Sequence, residues 1–82
     1  MGVEVSRSEI STFAISLVGV LRAAARGVVF IPKYSDRWTS GEFNGVADLI
    51  LEDLREERID ELRELYQKTD GNPFDFWKVE FG

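Results

Sequence analysis

The sequence contains no cysteine and no histidine, and only two prolines among its 82 residues. Without cysteine, the chain can form no disulfide, no thiolate metal site and no cysteine nucleophile. Without histidine, it lacks the usual general base near neutral pH and the commonest metal ligand. These two missing residue types exclude much of enzyme chemistry before any motif is considered.

Catalysis through the remaining residue types has little support. A serine or threonine nucleophile would need a lysine or an amine as its base, and only Lys33, Lys68 and Lys78 are present. No G-x-S-x-G, P-loop or G-x-G-x-x-G sequence occurs. We therefore expect a protein that is not an enzyme and that holds no metal and no cofactor.

The uninterrupted apolar run is short for a membrane span. The stretch from Ile10 to Leu21 covers about 18 Å as a helix, against a hydrocarbon core of about 30 Å. The region also does not fit a signal peptide. Glu4 and Glu9 precede the apolar run, where positive charge is typical, and Arg22 interrupts the segment before its small residues. We therefore predict a cytoplasmic protein with no membrane contact.

Charge is abundant but unevenly placed. A composition of 44% hydrophobic and 30% charged residues is typical of a globular protein, and the length predicts one domain, residues 1–82. Residues 1–41 carry five basic and three acidic side chains, whereas residues 42–82 carry five basic and twelve acidic. The acidic half would repel a phosphate backbone and attract a basic protein. Nucleic-acid binding is therefore disfavoured.

The longest apolar segment, Ser6 to Gly27, has the pattern of a core helix over residues 7–26. Ser6 and Glu9 have the spacing of a capping box, and Gly27 stands where a left-handed cap is easiest. Apolar residues recur at helical spacing on one face and extend beyond it. Such a helix needs cover on more than one side, from other helices of the chain or from a second copy.

A second helix is predicted after a loop that covers residues 32–39. Thr39 and Glu42 have the spacing of a capping box. Trp38 and Phe43 occupy the two positions of a hydrophobic staple, before the cap and at the fourth helical residue. Asn44 is the alternative cap, because the glycines around it are poor helix formers.

The apolar pattern then changes phase. The stripe of residues 43–54 is rotated by about a third of a turn from the stripe of residues 59–66. We predict two helices that meet at an elbow near residues 53–58, with Asp53 and Glu56 capping the second one. One long helix with a turning face is the alternative.

Three segments have the pattern of strands. Val28–Ile31 is a β-branched run stopped by Pro32, Gly2–Val5 is a short alternating segment, and Phe74–Gly82 alternates in its second half. We therefore predict an α+β domain in the order (β)-α-β-α-α-β, with a small sheet of two or three strands packed on three helices. The buried face of the last strand would consist of Trp77, Val79 and Phe81.

The loop after the second predicted strand is a candidate binding site. Tyrosine, tryptophan and arginine are enriched in interface hot spots, and all three occur here within five residues. In the alternative reading, the tryptophan staples the next helix and the tyrosine folds back on the core. The candidate partner-binding residues of this loop are Lys33, Tyr34, Arg37 and Trp38.

The acidic helices form the other candidate binding surface. Acid pairs four residues apart, such as Asp48 with Glu52, are also compatible with a magnesium site for phosphate substrates. A solvated helix face is the simpler explanation, because local pairs supply neutralising partners: Glu52 with Arg55, Asp60 with Arg63 and Glu64 with Lys68. The candidate partner-binding acids are Asp48, Glu52, Glu56, Glu57, Asp60, Glu61 and Glu64.

These features favour a small acidic protein-binding module whose partner is another protein with a basic surface. Immunity proteins, antitoxins and nuclease inhibitors are commonly small and acidic, which makes an inhibitor of this type an analogy at the level of class alone. The alternative is an accessory or structural subunit without catalysis, in particular a homodimer that hides the excess apolar surface of the first helix. A carboxylate-metal enzyme and a nucleic-acid binder are the less favoured functions.

Overall fold

The computed structural model describes residues 5–80, which contain three α-helices and one 3₁₀ helix joined by turns and irregular segments. Helix α1 spans Arg7–Ala25, α2 spans Ser40–Arg55, α3 spans Ile59–Lys68, and the 3₁₀ helix spans Pro73–Lys78. No strand occurs within this range. The predicted α+β fold with a small sheet is therefore wrong, and the chain forms a small helical domain.

The predicted strand at Val28–Ile31 is an irregular connection between α1 and α2. Val28 and Phe30 are exposed, and only Ile31 belongs to the core. The amide of Ile31 donates to the hydroxyl of Ser35 at 2.7 Å, and its carbonyl accepts from the amide of Ser35 at 2.8 Å. A local turn thus uses the backbone groups that a strand would need for its ladder.

The predicted C-terminal strand is also wrong, because the chain forms the 3₁₀ helix Pro73–Lys78 instead. The side chain of Asn72 accepts a hydrogen bond from the amide of Phe74 at 3.0 Å. The proline follows this cap at the first helical position, where its fixed φ favours a helical start. Local capping chemistry therefore overrides the alternating pattern that follows it.

Burial in this segment follows the 3₁₀ period of three rather than the strand period of two. Phe76 and Val79 are buried, whereas Trp77 remains 40% exposed. The third residue of the predicted buried face, Phe81, lies outside the described residues, as does most of the predicted strand Gly2–Val5.

The start of α1 matches the prediction, although only one of the two capping-box bonds forms there, and its end lies one residue early, at Ala25. The hydroxyl of Ser6 accepts a hydrogen bond from the amide of Glu9 and donates one to its carboxylate. At the other end, Gly27 has a φ of 74°, and the amide of Val28 donates to the carbonyl of Ala23 at 3.0 Å. These bonds form a Schellman motif, so the helix ends where glycine permits the left-handed turn.

The start of α2 and the elbow after it are confirmed as well. Thr39 and Glu42 form a complete capping box, and the rings of Trp38 and Phe43 lie 5.3 Å apart, as a staple requires. Helix α2 then ends before Glu57, which has a φ of 60°. Residues 43–68 therefore form two helices and not one.

The cap expected for α3 is wrong. The N-cap position is Arg58, and its side chain makes no capping hydrogen bond. The carboxylate of Asp53 accepts from the guanidinium of Arg58 at 2.8 Å, while its backbone carbonyl accepts the Arg58 amide at 2.8 Å. Asp53 thus closes the end of α2, and Glu56 is the C-cap of that helix.

Helix α1 is the centre of the core, because α2, α3 and the 3₁₀ helix all contact it. Eight of its 19 residues are buried, whereas α3 buries only Leu62. The buried apolar side chains outside α1 are Ile31, Tyr34, Phe43, Ala47, Ile50, Leu62, Phe76 and Val79.

The opposite side of α1 is not covered by the described residues. Ile15 is exposed on this side, and a cleft of about 520 Å³ runs along the helix past Gly19 to Val29 and Phe74. By length and hydropathy alone, α1 is also apolar enough to cross a membrane, although its other face forms the core of the domain. Self-association through this face stays a prediction.

The glycines at the ends of α1 and α3 allow a direct test of the packing. Gly27 and Gly71 have similar φ values of 74° and 76°, but a Cβ at Gly27 would meet open space, whereas one at Gly71 would lie 2.8 Å from the ring of Tyr66. We expect Gly27→Ala to destabilise the domain by about 1–2 kcal/mol and Gly71→Ala by about 2–4 kcal/mol, because the ring must also move. Urea unfolding measures both, and equal losses would contradict the contact.

Candidate functional site

The loop predicted to bind a partner lies against the 3₁₀ helix. Tyr34 is only 4% exposed, and its hydroxyl donates a hydrogen bond to the backbone carbonyl of Val79. The centroid of its ring lies 4.4 Å from that of Trp38 and 5.3 Å from that of Phe76. Tyr34 therefore joins the loop to the core, as in the alternative reading of the sequence.

The other three candidates of this loop have different environments. Trp38 is half-buried between the rings of the core, whereas Arg37 faces solvent. The ammonium of Lys33 lies 2.6 Å from the carboxylate of Glu80 and, by hydrogen bonding to it, holds the pKa of that carboxyl below its ordinary value. The loop thus fastens the C-terminal segment, and of the four candidates only Lys33 and Arg37 are exposed.

Five of the seven acidic candidates form exposed ion pairs within the chain. The spacing in the sequence predicts an ion pair between Glu52 and Arg55. In the structure, the elbow brings Arg58 back toward α2, and Arg58 contacts Glu52 instead. The pairs expected for Asp60 and Glu64 are confirmed. The ion pairs are Asp48–Arg22 at 2.9 Å, Glu52–Arg58 at 3.6 Å, Glu57–Arg7, Asp60–Arg63 at 3.2 Å and Glu64–Lys68 at 3.1 Å.

The remaining two acidic candidates, Glu56 and Glu61, are exposed and make no ion pair with any residue from 5 to 80. The pairs that do form are solvent-exposed, and such pairs are worth only about 0–1 kcal/mol. A partner's lysine or arginine can therefore replace an internal cation at little cost. The acidic face remains available for binding.

A groove between α2 and α3 brings acidic and apolar side chains together. Its volume is about 320 Å³, and Val79 and Glu80 close one side of it. We call it the α2–α3 groove. Its apolar lining residues are Val46, Leu49, Ile50, Leu65 and Val79, and its charged ones are Asp53, Glu61, Glu64, Lys68 and Glu80.

The elbow is the reason that this groove exists. Helix α2 directs Phe43, Ala47 and Ile50 toward α1, so that the neighbouring Leu49 stays 58% exposed. Helix α3 points Leu62 inward and leaves Leu65 at the edge of the core. The change of phase across the elbow thus leaves one apolar strip of each helix facing the same space.

The charges around the groove are mainly negative, with four carboxylates and one lysine among its lining residues. The guanidinium of Arg58 donates a hydrogen bond to the carboxylate of Asp53, which raises the pKa of Arg58, and the charges of Asp53, Glu52 and Glu61 add to this effect. A cation near this end of the groove is therefore stabilised by several carboxylates at once.

The prediction from sequence includes Glu61 and Glu64 of the groove but none of its apolar residues. The signal that could have indicated these apolar residues is the phase change between residues 43–54 and 59–66. Two helices whose apolar stripes point in different directions each leave part of a stripe uncovered. No comparable signal exists for Val79, since its place depends on the 3₁₀ helix that the alternating pattern concealed.

Within residues 5–80, no group of three or more acidic side chains is placed to hold a metal ion. Comparisons of the chain with protein-family models, with curated proteins and with solved structures find no match.

Two adjacent residues of the groove lining differ in how far they belong to the core. Leu49 lines the groove and is 58% exposed, whereas Ile50 is 2% exposed against α1. We expect Leu49→Ala to change the free energy of unfolding by no more than about 0.5 kcal/mol, and Ile50→Ala to lower it by about 2–4 kcal/mol, because it leaves a cavity. Chemical denaturation measures both values. A large loss for Leu49→Ala would mean that Leu49 supports the fold.

Proposed function

We propose that this protein is a non-enzymatic binding module that docks on another protein through its acidic α2–α3 face. The observation that carries this proposal is the α2–α3 groove, in which apolar residues that include the exposed Leu49 meet a largely acidic rim. Glu61 of this rim makes no ion pair within residues 5–80. Interfaces commonly combine an apolar centre with a polar border that excludes water.

The sign of the charge supports a basic partner. Carboxylates on α2 and α3 attract lysine and arginine side chains over a distance of about 10 Å at ordinary salt concentration, and they steer the first encounter. The same charges oppose a phosphate backbone, so they favour a protein partner over a nucleic acid. The net charge of −5 points in the same direction.

The loop of Lys33 and Arg37 has a smaller part in this proposal. Tyr34 and Trp38 pack inside the domain, so they do not supply the aromatic anchors that a hot spot needs. The acidic face would cover a basic surface of the partner, which is how small acidic inhibitors and immunity-type proteins act as a class. No catalytic step is required of this chain.

Reversing the charge of Glu61, which makes no ion pair within residues 5–80, tests the proposal. Glu61→Lys changes the charge at the groove, and Asp36→Lys makes the same change on an exposed residue of the loop. With the three immobilised proteins exposed to an extract of the source cells, we expect wild type and Asp36→Lys to retain the same basic proteins. Glu61→Lys should retain several-fold less of them, because a rim cation repels the partner.

The captured proteins are quantified by mass spectrometry at low and at moderate salt. Retention that is unchanged by Glu61→Lys, or a retained set without basic members, would contradict the proposed function. Far-UV circular dichroism of each variant establishes that the helices are intact.

A further inference from the structure

We infer that the α2–α3 groove receives one side of a basic amphipathic helix from the partner. This inference depends on the proposed function and specifies the form of the partner. Two other surface features support no such inference. The cleft along α1 has no charge pattern that identifies what would bind there, and the acids at the start of α3 line an open surface.

The two long walls of the groove have the spacing of helix stripes. On α2, the lining residues are Val46, Leu49, Ile50 and Asp53, which follow the pattern i, i+3, i+4, i+7. On α3, Glu61, Glu64, Leu65 and Lys68 repeat the same pattern. Each stripe therefore extends for about 10.5 Å, or two helical turns. A trough between two helix stripes matches the apolar face of a third helix.

The volume of the groove limits how deeply the partner helix can enter it. About 320 Å³ is too small for a whole helix, whose diameter with side chains is about 10–12 Å. It is large enough for a few apolar side chains. The partner helix therefore lies over the opening and inserts anchors spaced by three or four residues between Leu49, the exposed apolar residue of the α2 wall, and Leu65, the apolar residue of the α3 wall.

The rim specifies the charges beside those anchors. Glu61 and Glu64 are one turn apart on α3, and the ion pair of Glu64 with Lys68 at 3.1 Å is exposed and exchangeable. Two lysines or arginines three or four residues apart on the partner helix would face this pair of carboxylates. Glu80 on the remaining side of the groove adds a third negative position.

Other occupants fit less well. An extended peptide would need a sheet edge for its backbone hydrogen bonds, and residues 5–80 contain no strand. An anionic lipid surface would meet the acidic rim with repulsion. A second copy of this chain would bring its own net charge of −5 toward the same acids.

The experiment uses three synthetic peptides and the isotopically labelled protein. The first peptide is a two-to-three-turn helix with leucines on one stripe and lysines beside it, and a side-chain cross-link holds all three peptides helical because helices this short are marginal in water. The second has the same composition with the leucines scattered, and the third has glutamates in place of the lysines. Methyl NMR spectra of the protein are recorded during titration with each peptide, and light scattering reports its oligomeric state.

We expect the striped basic peptide to shift the methyl signals of Val46, Leu49, Leu65 and Val79. Its Kd should be roughly tenfold lower than that of the scattered peptide, because only the stripe fills the groove. The glutamate peptide should not bind. Leu49→Ala should weaken binding of the striped peptide by about five- to tenfold, whereas Ile15→Ala, which removes an equally exposed side chain from α1, should leave it unchanged.

The contrary outcomes separate the two proposals. Equal binding of the striped and scattered basic peptides, or equal effects of Leu49→Ala and Ile15→Ala, would overturn the helix-in-groove inference and leave the acidic docking face standing. Failure of both basic peptides to bind at low salt would count against the acidic face itself. Groove signals that shift with protein concentration as a dimer forms would assign the groove to a second copy and also overturn the inference.

Discussion

The burial of α1 is the interaction on which the rest of the domain depends. Each of the other helical elements contacts α1, and α3 contributes a single fully buried apolar residue, Leu62. A helix of ten residues such as α3 is marginal by itself in water, so its order comes from packing against α1. The caps at Ser6 and Gly27 fix the length of α1 and thereby the surface available to the other elements.

This dependence explains why a groove remains between α2 and α3. Both helices must turn an apolar side toward α1, and the elbow at Glu57 allows each of them to do so with its own phase. Their outer strips, which include Leu49 and Leu65, are left on either side of a common space. The proposed binding site is therefore a consequence of how two short helices cover one long helix.

Much of the helical structure could be predicted because its signals are local. The capping box of Thr39 and Glu42, the staple of Trp38 and Phe43 and the left-handed end at Gly27 depend on residues within a few positions of each other. The elbow could be predicted from the phase of the apolar stripes.

The strands could not be predicted correctly, because short apolar runs do not distinguish a strand from a packed loop or a 3₁₀ turn. Val28–Ile31 has no partner strand to pair with among the described residues, and its backbone bonds are satisfied in a turn with Ser35. Of the four groove carboxylates, Glu61 and Glu64 were among the predicted partner-binding residues, whereas the places of the other two and of the apolar floor depend on tertiary structure. The burial of Tyr34 likewise depends on Val79, 45 residues away along the chain.

The heat capacity change of binding tests the central claim most directly, because it separates apolar burial in the groove from attraction by the acidic rim. Calorimetric titration of the protein with the striped basic peptide, at several temperatures and two salt concentrations, gives both quantities. A negative heat capacity change together with weaker binding at higher salt is the predicted result. Binding that weakens with salt but has no measurable heat capacity change would show that the groove stays empty and would contradict the account.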